Sequence, residues 1–350
     1  MKTSMSLFSV PTSSFSTKTN ANNLKLNISH FILDMDISRL ETKLCQELEL
    51  TFHPFIIRNG QSPHEMLDVI PIKTPIGKRV SPDLETFIRQ SLQVPLSKFP
   101  FTGDLEREVD YGVKRLRPFS KNADFKAYIS GSHDPKAVAL YWLHKGCLIR
   151  KHDATTSILF LKARCKRSVK IASIYGAVYF TASVALPLLN GIMVHGVGIS
   201  RRGVGLLFLG LSGAGKTTVA QLSDPAEVIA DDGIIVEHKE GDYFLATAPF
   251  DQLSSCSQRG NISPDHRRRL TMGLFLKKDN RVYLEKISSL EAGSLILKNQ
   301  IHFFRYFPPH IAEKTFDLVT DLCRKIPFYR LHFKKDPSFW PLVEKELSQV

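Results

Sequence analysis

Cysteine is scarce and unpatterned in this chain of 350 residues: Cys45, Cys147, Cys165, Cys256 and Cys323 are scattered, odd in number, and never form a Cys-x-x-Cys pair. That spacing argues against a disulfide framework and a structural zinc site, and it fits a reducing cytoplasm. Acid is absent from Met1 to Leu33, a stretch rich in Ser and Thr. The same stretch lacks the apolar core of a secretory signal and the arginines of a transit peptide, so residues 1–23 are expected to form a loose tail. Charge is absent from Ile171 to Ser200, an apolar run long enough to span a bilayer. Gly176, Pro187 and Asn190 interrupt it, and Lys166, Arg167, Lys170, Arg201 and Arg202 flank it without asymmetry. It is read as a core strand, a helix and a second core strand, not as a membrane span. Internal repeats and long low-complexity linkers are missing as well.

The length suffices for two domains. A weak composition shift puts their division near 125–150, giving a front domain over 24–145 and a second domain over 146–350. Leu24–Phe31 reads as a short strand. Ile37, Leu40, Leu44 and Leu48 stand at helical spacing and predict a helix over Asp36–Glu49. Ser81-Pro82 is a good helix start, predicting a helix to Leu92. Pro95–Asn122 has no clear period, Ala137–Leu143 resumes regular structure, and Ser157–Leu161 reads as a strand. Lys and Arg number 47 against 34 Asp and Glu, a formal charge of +13. That balance suits an anionic ligand such as a nucleotide, or an acidic partner. The basic clusters (His266 to Arg269 with Lys277-Lys278, and Lys162 to Lys170) are not interleaved with aromatics. Nucleic acid is therefore not an expected partner, and both clusters read first as solvated faces.

Against this background one motif stands out. Gly210-Leu-Ser-Gly-Ala-Gly-Lys-Thr217 matches G-x-x-x-x-G-K-[ST] in full. Glycines let such a loop curl so that its N–H groups face phosphate oxygens. Gly210, Ser212, Gly213, Ala214, Gly215, Lys216, Thr217 and Thr218 are the expected nucleotide contacts, with Lys216 on the outer phosphates and Thr217 offering its hydroxyl to Mg²⁺. The apolar run Val204–Leu209 before the loop has strand length, and Thr218–Leu222 continues as a helix. Val228-Ile-Ala230 is a short apolar strand followed at once by Asp231-Asp232. An acid at that place can hold Mg²⁺ or take a proton from a nucleophile. His195 lies in the apolar run Met193–Ile199, and a hairpin turn at Ser200-Arg-Arg-Gly203 would set it on a strand beside the loop.

Together, His195-Gly-Val, Gly205–Thr217 and Ala230-Asp-Asp232 resemble the catalytic domain of the HPr kinase/phosphorylase family. The resemblance covers roughly Ser157–Phe333, and Ile326–Phe333 with Phe339-Trp340 resembles the family's closing strand and helix. It implies a mixed α/β (α+β) fold related to ATP-dependent phosphoenolpyruvate carboxykinase, with a smaller α+β front domain. It implies phosphoryl transfer from Mg-ATP to a serine hydroxyl. In that reading Lys216 grips the β/γ phosphates, Thr217 and Asp232 serve the metal, His195 lies near the γ-phosphate and Asp231 is the general base. Homo-oligomers are common in the family. Leu211 stands where the bifunctional members carry Asp, and the family's second signature, rich in Glu, Arg and Gly, is absent. The expected acceptor is therefore a hydroxyl of another protein, a peptide or a small molecule. A nucleotide-binding regulator without transfer is the alternative.

Overall fold

The computed structural model describes residues 23–57, 62–72, 113–115, 126–130, 138–143, 146–151, 155–162, 165–224, 227–250, 266–304 and 307–349. Two sheets organise them. The first contains β1 (Asn23–Ile28), β2 (Phe31–Asp36), β3 (Glu65–Ile72), β4 (Val113–Arg115), β5 (Lys126–Ser130), β6 (Val138–Leu143), β7 (Gly146–Lys151) and β8 (Thr156–Lys162), in the order β1-β2-β3-β8-β7-β6-β5-β4. Its β2–β3 and β3–β8 pairs are parallel and the rest antiparallel. The expected strand Leu24–Phe31 is two strands joined by a tight turn in which Ser29 takes a left-handed φ of 60°. Helix α1 (Thr42–Phe52) starts later than its apolar spacing predicts. The Asp36 carboxylate accepts the Ser38 N–H at 2.9 Å, which holds the chain in a turn where the helix would begin.

The expected division at 145/146 falls between β6 and β7, which pair antiparallel, so the passage out of the first sheet comes after Lys162 instead. A composition shift carries no information about which strands pair. The expected helix over 81–92 and the tail to residue 22 lie outside the described residues, as does most of 95–122.

Of the expected strand, helix and second core strand over Ile171–Ser200, the first strand is absent: helix α2 (Arg167–Ala185) already covers its residues, while a buried strand does follow from Gly191. Pro187 sits in a short 3-10 turn, Leu186–Leu189, just past the helix, and Asn190 turns the chain through a φ of 58° into the next strand. The breakers thus act at the end of one helix rather than inside a broken one. Arg167–Leu189 is long and apolar enough to cross a membrane by length and composition, with a mean hydropathy of 1.6, yet 67% of that window is buried. A helix apolar all round is one covered on all sides. Here the first sheet and the second share one core through Ile174, Val178, Phe180 and Val184. Each such side chain contributes about 1.5–3 kcal/mol by leaving water. Arg167 and Lys170 pair with Glu47 and Glu41 and so tie α2 to α1.

The second sheet comprises β9 (Gly191–Arg201), β10 (Val204–Leu209), β11 (Val228–Lys239), β12 (Asp242–Ala246), β13 (Arg267–Lys278), β14 (Tyr283–Lys286) and β15 (Phe328–Phe333), in the order β10-β9-β11-β12-β13-β15-β14. β13 also pairs in parallel with β10, which closes β10, β9, β11, β12 and β13 into a ring. Helices α3 (Lys216–Gln221), α4 (Ser289–Asn299), α5 (Pro309–Lys325) and α6 (Trp340–Leu347) are the remaining α-helices among the described residues. The expected hairpin is present: β9 and β10 pair antiparallel, and Arg202 and Gly203 both take positive φ in a two-residue turn. Helix α6 holds this hairpin. Arg201 lies 4.8 Å over the Trp340 ring and bonds both Glu227 and Glu344. The result is an α+β fold with mixed sheets, as the sequence reading expected at that level.

Candidate functional site

Strand register assembles the site around Gly196 of β9. Gly196 pairs with Leu209, the last residue of β10, on one side and with Asp232 of β11 on the other. Three strands thus deliver the start of the glycine-rich loop, His195 and the Asp pair to one level. The loop Gly210–Gly215 curls through a turn in which the Ala214 N–H donates to the Leu211 carbonyl at 2.9 Å. Gly213 and Gly215 take φ of 80° and 114°, which a β-carbon would strain. At Gly215 a β-carbon would also meet the Phe333 ring at 2.6 Å. The last strand, β15, therefore floors the loop.

Lys216 opens α3 and is only 8% exposed. Its ammonium donates to the carbonyls of Gly210 at 2.7 Å and Leu211 at 3.3 Å. Burial pulls its pKa below the ordinary lysine value, while Asp232 and Asp231 oppose that pull. Ser212, Gly213 and Thr217 are exposed, and Ala214, Gly215 and Thr218 half-buried.

The Asp pair departs from expectation in two ways. It lies inside the long strand β11 rather than at the end of a short one, and β9 runs between it and β10. Asp231 is 2% exposed. Asp232 carries a φ of 99° within the strand, a conformation that costs a non-glycine residue about 1–3 kcal/mol and gathers at functional sites. With that backbone, both Asp232 Oδ1, at 2.8 Å, and its carbonyl oxygen, at 3.1 Å, reach His195 Nδ1. With a proton on Nδ1 the ring donates to Asp232, and Nε2 is the nitrogen left outside that contact. The His195 N–H donates to the Gln300 carbonyl at 2.7 Å, anchoring this strand position to the end of α4.

Two further residues, which no sequence signal singled out, complete the surroundings. The His302 ring stands edge-on to His195, with centroids 4.7 Å apart. Burial, with help from neighbouring His195, drives its pKa down to about 3, so it stays neutral. Tyr179 of α2 packs edge-on against His302 and Phe250. Burial first, then the Asp232 charge, raises its phenol well above the ordinary range. His302 hides in the aromatic run Ile301–Phe304 and Tyr179 in an apolar helix, where each looks like ordinary core. Among the described residues no three His, Cys, Asp or Glu side chains converge as a cage for a metal ion.

The arginine triplet lies at the other end of the sheet. Leu270 pairs with Gly205, at the start of β10, whereas the loop leaves its far end. The strand between spans about 17 Å. There Arg267 bonds Glu237 at 2.8 Å and reaches Ser29 of the first sheet at 3.4 Å, Arg268 bonds Ser200, and Arg269 bonds Asp242. Lys277 and Lys278 stand at the loop end instead, with Lys278 paired to Phe333.

A family model described as SynChlorMet cassette protein ScmC matches residues 159–348, more than half of the chain. No curated protein matches the chain. Among solved structures, the Hpr(Ser) kinase/phosphatase from Coxiella burnetii aligns at 11% identity with a TM-score of 0.26, covering 45% of this chain and 88% of that one.

Proposed function

The chain belongs to the ScmC family, and from that premise we propose that it is an ATP-binding, Mg²⁺-dependent phosphoryl transferase acting on a hydroxyl of a peptide, protein or small molecule. The observation that carries this reading is the convergence of the Gly210–Thr217 loop, buried Lys216, Asp231-Asp232 and His195 at one level of three adjacent strands. Lys216 binds the β/γ phosphates, and the loop N–H groups from Ser212 to Thr218 receive the phosphate oxygens. The Thr217 hydroxyl and the Asp232 carboxylate would hold Mg²⁺, an ion that needs few protein ligands. That ion, when bound, neutralises charge on the phosphates. Asp231 accepts the proton of the attacking hydroxyl. The hydroxyl oxygen bonds to the γ-phosphorus as the bond from that phosphorus to the β–γ bridging oxygen breaks, and ADP leaves. The pairing with Asp232 orients His195 and leaves Nε2 for the acceptor hydroxyl or, when that nitrogen carries a proton, for a γ-phosphate oxygen.

The test is incubation with γ-labelled ATP, Mg²⁺ and a panel of acceptors (serine, serine peptides, cell extract) beside Lys216→Ala. Label on an acceptor that the variant does not transfer supports the reading. Nucleotide binding without transfer to any acceptor would favour a regulatory role, the alternative that the missing second signature supports.

A further inference from the structure

Next to this site, on the other side of the His302-Phe303 dipeptide, α4 and α5 leave a half-open groove of about 620 Å³. That is the size of a pocket for a small molecule or a few side chains. Leu290, Leu297, Phe303 and Phe316 line it, and Lys298 and Arg324 stand on its rim. Leu290 is 83% exposed and Phe316 53% exposed, an unusual outlay of large apolar surface on two neighbouring helices. No carboxylate lines the groove, and neither rim cation forms an ion pair with a described residue. Nearby basic side chains behave differently: Lys325 pairs with Asp321, and Arg330 with Glu285 and Glu291.

We propose that this groove docks the acceptor as a peptide segment that is apolar along its length and carries acidic residues, which Lys298 and Arg324 receive. The proposal rests on the phosphoryl-transfer reading above and names the class of its acceptor. Charge selects this occupant over two others. The chain's own residues 1–22 contain no acid, and a second copy carries the same formal charge of +13. Nucleic acid has no counterpart for the apolar lining. Position links groove to site. Phe303 lines the groove, takes a left-handed φ of 67°, and follows directly on His302, whose ring meets His195. An extended peptide advances roughly 3.3 Å per residue, so a few residues carry it from Phe303 to His195.

The experiment uses two fluorescein-labelled decapeptides of Leu, Phe and Ser, one bearing Asp and Glu and the other Lys and Arg. Their binding is read by anisotropy to the full chain and to Phe316→Glu and Arg324→Glu, both exposed positions outside the site. The acidic peptide is expected to bind at least about tenfold tighter than the basic one. Phe316→Glu should lower that affinity about tenfold, and Arg324→Glu should erase the preference, with nucleotide binding unchanged in both. Equal binding of both peptides, or indifference to both variants, overturns the groove. So does self-association that Phe316→Glu abolishes, because the occupant is then a second copy. Label transfer to the same peptides separates the two readings. Transfer insensitive to both variants removes the groove and leaves the kinase. Groove-dependent binding without transfer to any acceptor keeps the docking site and removes the kinase.

Discussion

The two ends of strands β10 and β13 both hold cations, and they use them in opposite ways. At the start of β10 sit three consecutive arginines, each with a partner: Glu237, Ser200 and Asp242. Their work is architectural, since Arg267 also reaches Ser29 and so bridges the two sheets. At the far end, beyond the exposed Lys277 and Lys278, Lys216 is buried and bonded to backbone carbonyls, and the charges of Asp232 and Asp231 act on it. A dense charge cluster is conspicuous in a sequence and here is structural. The buried cation of the glycine-rich loop differs in kind, because a charge taken largely out of water gains more from an anion brought to it than an exposed one does.

The largest expected effect tests the loop end. Asp231→Asn should cut phosphoryl transfer by about 10²–10⁴ while nucleotide still binds, as removal of a general base does; unchanged turnover in a single-turnover assay would sink that role. Lys216→Ala should lower transfer by about 10²–10³ through lost stabilisation of phosphate charge. If nucleotide affinity measured by calorimetry also falls, Lys216 holds the ground state as well.

At the other end the effects belong to stability. Arg267→Ala leaves Glu237, whose side chain is 7% exposed, with only the His30 ring 4.0 Å away, and should cost about 2 kcal/mol in urea unfolding with transfer unaltered. A matching loss of transfer would break the contrast between the ends. Arg269→Ala, removing an exposed pair with Asp242, should cost under about 1 kcal/mol.

His302 gives a pH test between these cases. Its pKa is about 3 in the fold against an ordinary 6.5. The unfolded chain therefore takes up a proton as pH falls below 6.5, while the folded chain stays neutral until about 3. Stability is lost through that window, by up to about 1.4 kcal/mol per pH unit for this one group. His302→Phe should flatten the slope of unfolding free energy between pH 6 and 4; an unchanged slope would show that His302 does not titrate this way.

Much of the second sheet was legible. Strand β10, the loop, α3 and the Arg202-Gly203 hairpin turn follow from apolar runs, glycines and turn chemistry, all of which act within a few residues. The closing strand Phe328–Phe333 and helix Trp340–Leu347 came from a resemblance, and the structure contains both. Reading failed where distant chain decides. Periodicity does not distinguish strand from helix in Ile171–Ala185, because a segment covered on every side shows no apolar face. Asp231-Asp232 read as the end of a strand because Asp disfavours sheets. Pairing with β9 carries the strand on through them, at the cost of the strained backbone of Asp232.

By itself, then, the sequence determined the local chemistry: a loop that only glycines permit, a lysine and threonine at its end, and a histidine and two aspartates within 40 residues of it. Tertiary structure alone decided which of these meet. Gly196 sets Leu209 and Asp232 in register, the end of α4 brings His302 to His195, and β13 carries the arginines to the far end. Register and packing are agreements between segments far apart in the chain, and no window of neighbouring residues contains them.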